Sequence, residues 1–295
     1  MVKTLGIKNN FLAIEDEFSN YENSKVAILP VPYEATTSYG KGTGSAPEAI
    51  YKASHYVEFY DEELHREFCF EKGIASLPPM NLKNLKGRDA LDVIYGNVKK
   101  LIDDGKFVVT LGGEHTISTA PIKAHFDSYK NLSVLHFDAH SDLRDKYEGT
   151  KYSHACFCSR VAEFTKDITQ VGIRAQCIEE SRFIKKNGIR TFYAYAIRNN
   201  LHTKNWMDKV ISGLKENVYV TFDIDYFDPS VISATGTPEP LGFYWEETMH
   251  LLKKLGRSRN VVGFDLVELA PVKGFTYPDF LAAKLVYKML NYFIK

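Results

Sequence analysis

Short apolar runs alternate along this chain with longer stretches whose apolar residues recur every three or four positions. The first run, Val-Ala-Ile-Leu-Pro-Val at 26–31, reads as a buried strand. Runs at 107–111, 133–137, 168–173, 191–195, 218–222 and 260–266 read the same way. Between them, Leu91, Ile94, Val98, Leu101 and Ile102 keep helical spacing, which predicts a helix over 87–104. Further helices are expected over 179–186, 205–214, 245–255 and 278–292, and another after residue 115 carries His125. Gly105, Gly188 and Gly256 stand where three of these helices should stop. One more helix should start at Ser45-Ala-Pro-Glu48. There Ser45 is placed to accept from the Glu48 amide and Glu48 to reach back, and Pro47 suits a first turn.

Strand and helix in strict alternation predict an α/β fold, a parallel sheet with helices on both faces. In such folds ligands bind beyond the carboxyl ends of the strands. A chemical motif should therefore begin where a strand ends.

Composition narrows the function. The 295 residues carry 37 Lys+Arg against 37 Asp+Glu, a net charge of zero, so no broad basic face is available for nucleic acid. The length suits one large domain or two smaller ones, and no repeat or Pro/Gly/Ser linker divides it. No apolar run approaches the ~20 residues of a spanning helix, and the first residues lack a signal-peptide pattern, so a cytoplasmic protein is expected with no membrane partner. Four cysteines, Cys69, Cys156, Cys158 and Cys177, are too few for a disulfide scaffold and read as reduced thiols.

Four motifs begin at strand ends: Gly112-Gly-Glu-His115, Asp138-Ala-His140-Ser-Asp142, Asp223-Ile-Asp225 and, after the 260–266 strand, Glu268. One rim of the sheet would then gather two histidines, four aspartates and a glutamate. Four carboxylates in one crevice repel and cannot all ionise without cations, and two divalent ions would balance them. Carboxylate oxygens with two imidazoles suit Mn²⁺, with zinc a credible competitor and Mg²⁺ less apt. Two ions ~3.5–4 Å apart would bridge a water and lower its pKa, giving a metal-bridging hydroxide.

These segments resemble the three signatures of the ureohydrolase family, the arginases, agmatinases and their relatives. The likeness extends to 33–50, to Gly172-Ile-Arg174, to Gly236-Thr-Pro-Glu-Pro240 and to Gly263-Phe-Asp-Leu-Val-Glu-Leu-Ala-Pro271. It runs from about residue 25 to the end, which implies a single domain over 1–295 with about 1–24 as an N-terminal extension, and it is strongest toward the agmatinase branch. The resemblance implies a three-layer α/β/α sandwich, a homotrimer or homohexamer, and two Mn²⁺ per subunit. His115, Asp138, Asp142 and Asp223 match the ligands of one ion; Asp138, His140, Asp223 and Asp225 match those of the other. Glu268 matches the glutamate that receives a guanidinium, and His154 a histidine that shuttles protons. Asp142 is placed to relay a proton to the departing amine. The implied reaction is hydrolysis of agmatine to urea and putrescine.

Substrate choice is less sharply written. The stretch 143–153 lacks the Ser-x-Asn loop by which arginases resemble one another, so arginine is disfavoured. Agmatine ends in an ammonium, which Asp145, Glu148, Tyr147 or Tyr152 would meet by charge or π-face. N1-aminopropylagmatine would need only a wider mouth, and guanidinobutyrate remains an alternative. A different two-metal hydrolase is the reading from another class; for a phosphate substrate, Arg144 and Lys146 are the nearby cations. A third reading is a metal-binding scaffold without catalysis. Ala175, Ser233 and Leu241 depart from the usual agmatinase pattern. His136 falls on the same side of its strand as Asp138 and His140 and reads as a buried structural residue, with a role behind the metal ligands as the alternative. His125 reads as packing, and Cys156 and Cys158 as buried small residues. Glu114 reads as an orienter of His115 or an ion-pair partner. His55, His65, His202 and His250 have no cluster partners.

Overall fold

The computed structural model describes residues 2–201 and 205–295. Its strands are β1 (Val26–Val31), β2 (Ile74–Ser76), β3 (Phe107–Gly112), β4 (Leu132–Phe137), β5 (Ile168–Ile173), β6 (Arg190–Tyr193), β7 (Asn217–Asp223) and β8 (Asn260–Val267). They form one sheet in the order β2-β1-β3-β8-β7-β4-β5-β6. Every pairing is parallel, as the alternation predicts. The helices are α1 (Asp16–Ser19), α2 (Ala46–Ser54), α3 (Phe68–Lys72), α4 (Arg88–Asp103), α5 (Thr119–Ser128), α6 (Phe157–Val161), α7 (Ile178–Asn187), α8 (Ala194–Arg198), α9 (Trp206–Ser212), α10 (Trp245–Ser258) and α11 (Tyr277–Phe293). His202 lies outside the described residues.

The two-residue period of each strand divides its side chains between two cores. Val109 and Leu111 of β3, and Val218, Val220 and Phe222 of β7, pack with α2, α9, α10 and α11. On the opposite face Val108 meets α4 and α5, while Tyr219 meets α5, α6 and α7. Three layers result, and a buried Phe or Leu in either core contributes about 1.5–3 kcal/mol. The segment before β1 belongs to the same packing. Phe11, Leu12 and Ile14 are fully buried, and the Phe11 and Leu12 amides donate to the Ser76 and Ser54 hydroxyls at 2.9 and 2.8 Å.

Two expected helix signals are used differently. Ser45 has a helical backbone and donates its hydroxyl to the Gly42 carbonyl, so it forms no capping box. Glu48 instead pairs with Lys52 one turn on. Gly256 does not end α10, which runs on to Ser258. A Cβ there would lie 2.1 Å from the Tyr292 carbonyl, so the glycine is what lets α10 lie against α11. The expected strand over 191–195 ends at Tyr193, where the chain turns into α8. Gly105 and Gly188 do close their helices, each with a left-handed φ, +76° and +66°.

Candidate metal centre

The carboxyl ends of β3, β4, β7 and β8 are neighbours around β8 and β7, so their loops share one rim. On it lies a crevice of about 250 Å³, lined among others by His140, Asp142, His154, Asp223, Asp225 and Glu268. Each motif is locked by its own backbone. The Glu268 amide donates to the Gly113 carbonyl at 2.9 Å, tying β8 to the first motif. The Ala139 amide donates to Asp225 Oδ1 at 3.0 Å and the Asp225 amide to Asp223 Oδ1 at 2.8 Å, tying the β4 and β7 ends together. Asp142 and Glu268 both hold left-handed backbones, with φ of +51° and +63°. Such a conformation costs a non-glycine residue of order 1–3 kcal/mol and collects at functional sites.

Two cups of ligand atoms follow. In the first, His115 Nδ1 is buried and lies 3.1 Å from Asp138 Oδ2, 3.3 Å from Asp142 Oδ2 and 3.1 Å from Asp223 Oδ2. In the second, His140 Nδ1 lies 2.8 Å from Asp225 Oδ2 and 3.5 Å from Asp138 Oδ1. Asp138 is common to both.

The hydrogen-bond pattern says what the first cup needs. His115 Nε2 faces the Thr221 hydroxyl at 3.0 Å, and that hydroxyl donates to Asp265 Oδ1 at 2.7 Å. Thr221 therefore accepts from His115, which puts a ring proton on Nε2 and leaves Nδ1 facing the carboxylates; burial lowers the ring's pKa there, but Asp138, Asp142 and Asp223 outweigh it and raise it. That Nδ1 has no hydrogen-bond partner, yet three carboxylate oxygens surround it. Nδ1 among three carboxylates needs a cation between them, a proton in the ion-free cluster or a metal ion in its place. A buried set of imidazole and carboxylate donors fits a metal ion of intermediate hardness. The fixed tautomer is the outer arrangement that metal-bound histidines usually have.

Charge within the cluster is uneven. Burial pushes Asp138 up, but His136, His115 and His140 outweigh it and hold the carboxyl well below its usual range. Burial and the Asp138 charge raise Asp142 to about 6. Burial, with Asp225 and Asp138 beside it, lifts Asp223 well above an ordinary aspartate. These directions belong to the ion-free cluster and describe carboxylates that share protons where no cation balances them.

Around the cups, Glu268 Oε1 accepts from the His115 amide at 2.6 Å, and burial raises its pKa strongly. His154 sits across the crevice under the edge of Tyr147, with Thr36 Oγ1 at 3.4 Å and Ser38 Oγ at 3.5 Å. Burial lowers its pKa.

All eight expected site residues therefore meet in one place. His136 is fully buried, donates to Asp138 Oδ2 at 2.6 Å and accepts from Gln170 Nε2 at 3.1 Å, so it sits behind a cup ligand as well as in the core. Among the described residues Glu114 makes no ion pair. Its carboxylate accepts from the Ala35 and Thr36 amides and the Thr36 and Thr116 hydroxyls, all at 2.6 Å, and so pins the loop that approaches His154. Cys156 and Cys158 are buried, with thiols pushed up, Cys156 to about 11.

Three candidates for the substrate tail are misplaced. Asp145 points outward to pair with Arg160 at 3.0 Å, and neither it nor Glu148 nor Tyr152 lines the crevice. Tyr152 instead packs against Gly87. Only Tyr147 of the four is a wall residue. Sequence reasoning passed over Thr221 and Asp265. The available signal was an aspartate inside the apolar β8 run, opposite Thr221 in register.

The arginase-family model matches residues 24–291. The chain belongs to the arginase family. Among its relatives is the N(1)-aminopropylagmatine ureohydrolase of Synechocystis sp., 38% identical over 94% of this chain and 92% of that protein. The agmatinase of Bacillus anthracis is 35% identical, covering 94% of each. The agmatine ureohydrolase structure of Thermoplasma volcanium superposes with a TM-score of 0.81 at 30% identity, over 93% of this chain and 92% of that one. The chain is thus a hydrolase of this family with the arginase-like α/β fold. Among the described residues no helix is long and apolar enough to cross a membrane.

Proposed function

We propose that this protein is a binuclear Mn²⁺ ureohydrolase that cleaves the guanidino group of agmatine, or of its N1-aminopropyl derivative, to urea and the corresponding amine. The observation that carries the reading is the pair of imidazole-carboxylate cups sharing Asp138, with Glu268 beside them in one crevice. His115, Asp138, Asp142 and Asp223 would hold one ion, and Asp138, His140, Asp223 and Asp225 the other. Bound there, the ions would make water a nucleophile at neutral pH.

The chain's own groups do the rest. Glu268 would receive the guanidinium by charge-assisted hydrogen bonds, because Oε1 is held by the His115 amide and the second oxygen is left for the ligand. A bound cation also offsets the burial that otherwise favours its neutral form. Asp142 would carry a proton toward the departing nitrogen, which must leave as an amine. His154, bordered by two hydroxyls, would pass protons between the crevice and solvent.

The aminopropyl substrate is favoured by the 38% relative of that name, and agmatine by the 35% one. The test is urea release by Mn²⁺-loaded protein from agmatine, N1-aminopropylagmatine, arginine and 4-guanidinobutyrate, each with an EDTA control. Metal-dependent urea from either of the first two is expected. No urea from any of the four with metal bound would sink the reading.

A further inference from the structure

We propose that Glu239 reads the cationic tail of the substrate, a role that rests on the guanidino-hydrolase reading above. Every other carboxylate on the crevice wall is committed. Asp142, Asp223 and Asp225 face the two cups, and Glu268 holds the His115 amide. Glu180 is buried and turned inward, accepting from the Leu143 amide at 2.9 Å and the Cys177 amide at 2.7 Å. Glu239 differs: its side chain is 38% exposed, and its nearest cationic partner is His140 Nε2 at 3.9 Å, beyond hydrogen-bond reach.

Among the described residues the carboxylate makes no hydrogen bond and feels the nearby Arg174 charge, whereas its backbone is held. Arg174 grips the Glu239 carbonyl through Nε at 3.3 Å and Nη2 at 3.0 Å, and the same Nη2 donates to the Asp225 carbonyl at 2.7 Å. One guanidinium thereby fixes the Glu239 loop to the segment that carries a cup ligand. Pro238 and Pro240 flank the residue and restrict it further. A carboxylate whose backbone is fixed beside the cups has only its side-chain torsions left to order when it meets an ammonium, which lowers the cost of binding. The opposing charge on the wall, Arg144, stacks over Tyr147 at 5.3 Å and lies 3.9 Å from Glu180, so it is partly balanced.

The test uses full-length Mn²⁺-loaded protein, wild type, Glu239→Gln and Glu239→Asp. The substrates are agmatine, n-butylguanidine as the neutral-tail match, and 4-guanidinobutyrate as the anionic one. Wild type is expected to prefer agmatine over butylguanidine in kcat/KM. Glu239→Gln should lower that ratio at least tenfold, mainly through the KM for agmatine, and Glu239→Asp should recover part of it. Mn²⁺ affinity measured by calorimetry separates this from a role in orienting His140. If both substrates fall together and Mn²⁺ binds more weakly, Glu239 orients His140 and the proposal fails. A wild type that prefers 4-guanidinobutyrate, or an unchanged ratio in Glu239→Gln, also overturns it while leaving urea chemistry intact. No urea from wild type with any guanidine overturns the underlying reading, and the proposal with it.

Discussion

Thr221 and Asp265 stand opposite each other in register on β7 and β8, and the Thr221 hydroxyl donates to the Asp265 carboxylate at 2.7 Å. Tyr219 donates to the other Asp265 oxygen at 2.9 Å. This buried chain dictates which nitrogen of His115 faces the carboxylate cup. Thr221→Val keeps the volume and removes the hydroxyl. It should weaken binding at the His115 ion by about 10- to 100-fold, the usual cost of losing an outer partner of a metal-bound histidine. Mn²⁺ calorimetry checks it, and unchanged affinity would contradict the tautomer argument.

Removing metal should loosen the fold around the cups. Ligands that bind only the native state stabilise it by about 2.7 kcal/mol at a hundredfold excess over Kd. Melting of EDTA-stripped protein should therefore rise by roughly 5 °C when Mn²⁺ is restored to that excess. Identical curves would mean that the carboxylates hold no ion.

His154→Asn should lower kcat by about 10² or more with a much smaller change in KM, because the ring is assigned to proton movement rather than binding. Steady-state urea release over several agmatine concentrations reads both. A loss confined to KM would reassign the ring to the binding wall.

Acid should destabilise the protein through a buried residue that is no ligand of the cups. His125 is fully buried, its Nδ1 donates to the Pro121 carbonyl at 2.7 Å, and burial lowers its pKa to about 4. The unfolded chain takes up this proton near pH 6.5, while the folded chain resists until about 4. Stability is thus greatest above pH 6.5 and falls progressively to about pH 4, by about 3 kcal/mol from this group alone. Urea melts at pH 7.5 and 4.5 should show the loss, and His125→Phe should reduce it. An equal loss in that variant would place the sensitivity elsewhere.

Gly256→Ala should destabilise by about 1–3 kcal/mol despite alanine's better helix propensity, since the new Cβ meets the Tyr292 carbonyl at 2.1 Å. Chemical denaturation would reveal it. A stabilised variant would show that α10 and α11 separate easily.

This glycine also marks how far sequence reasoning reaches. The strands and their motifs were legible because periodicity is local: His136, Asp138 and His140 alternate on one side whatever the rest of the chain does. Clearance between α10 and α11 is a relation between residues far apart in sequence, so Gly256 looked like a helix stop. The same applies to Ser45 and Glu48, whose expected mutual bonds lost to Gly42 and Lys52. Of the four residues offered for the substrate tail, only Tyr147 lines the crevice. Asp145 pairs with Arg160, a partner visible only after folding.

The burial of Phe11, Leu12 and Ile14 bears on where this protein can be cut. The arginase-family model match begins at residue 24, which invites trimming there. A chain shortened to that point would leave three sockets open in the layer beneath α2, with the Ser54 and Ser76 hydroxyls stripped of their amide partners. The boundary drawn by the family match and the boundary drawn by close packing are about a dozen residues apart, and only the second keeps these sockets filled.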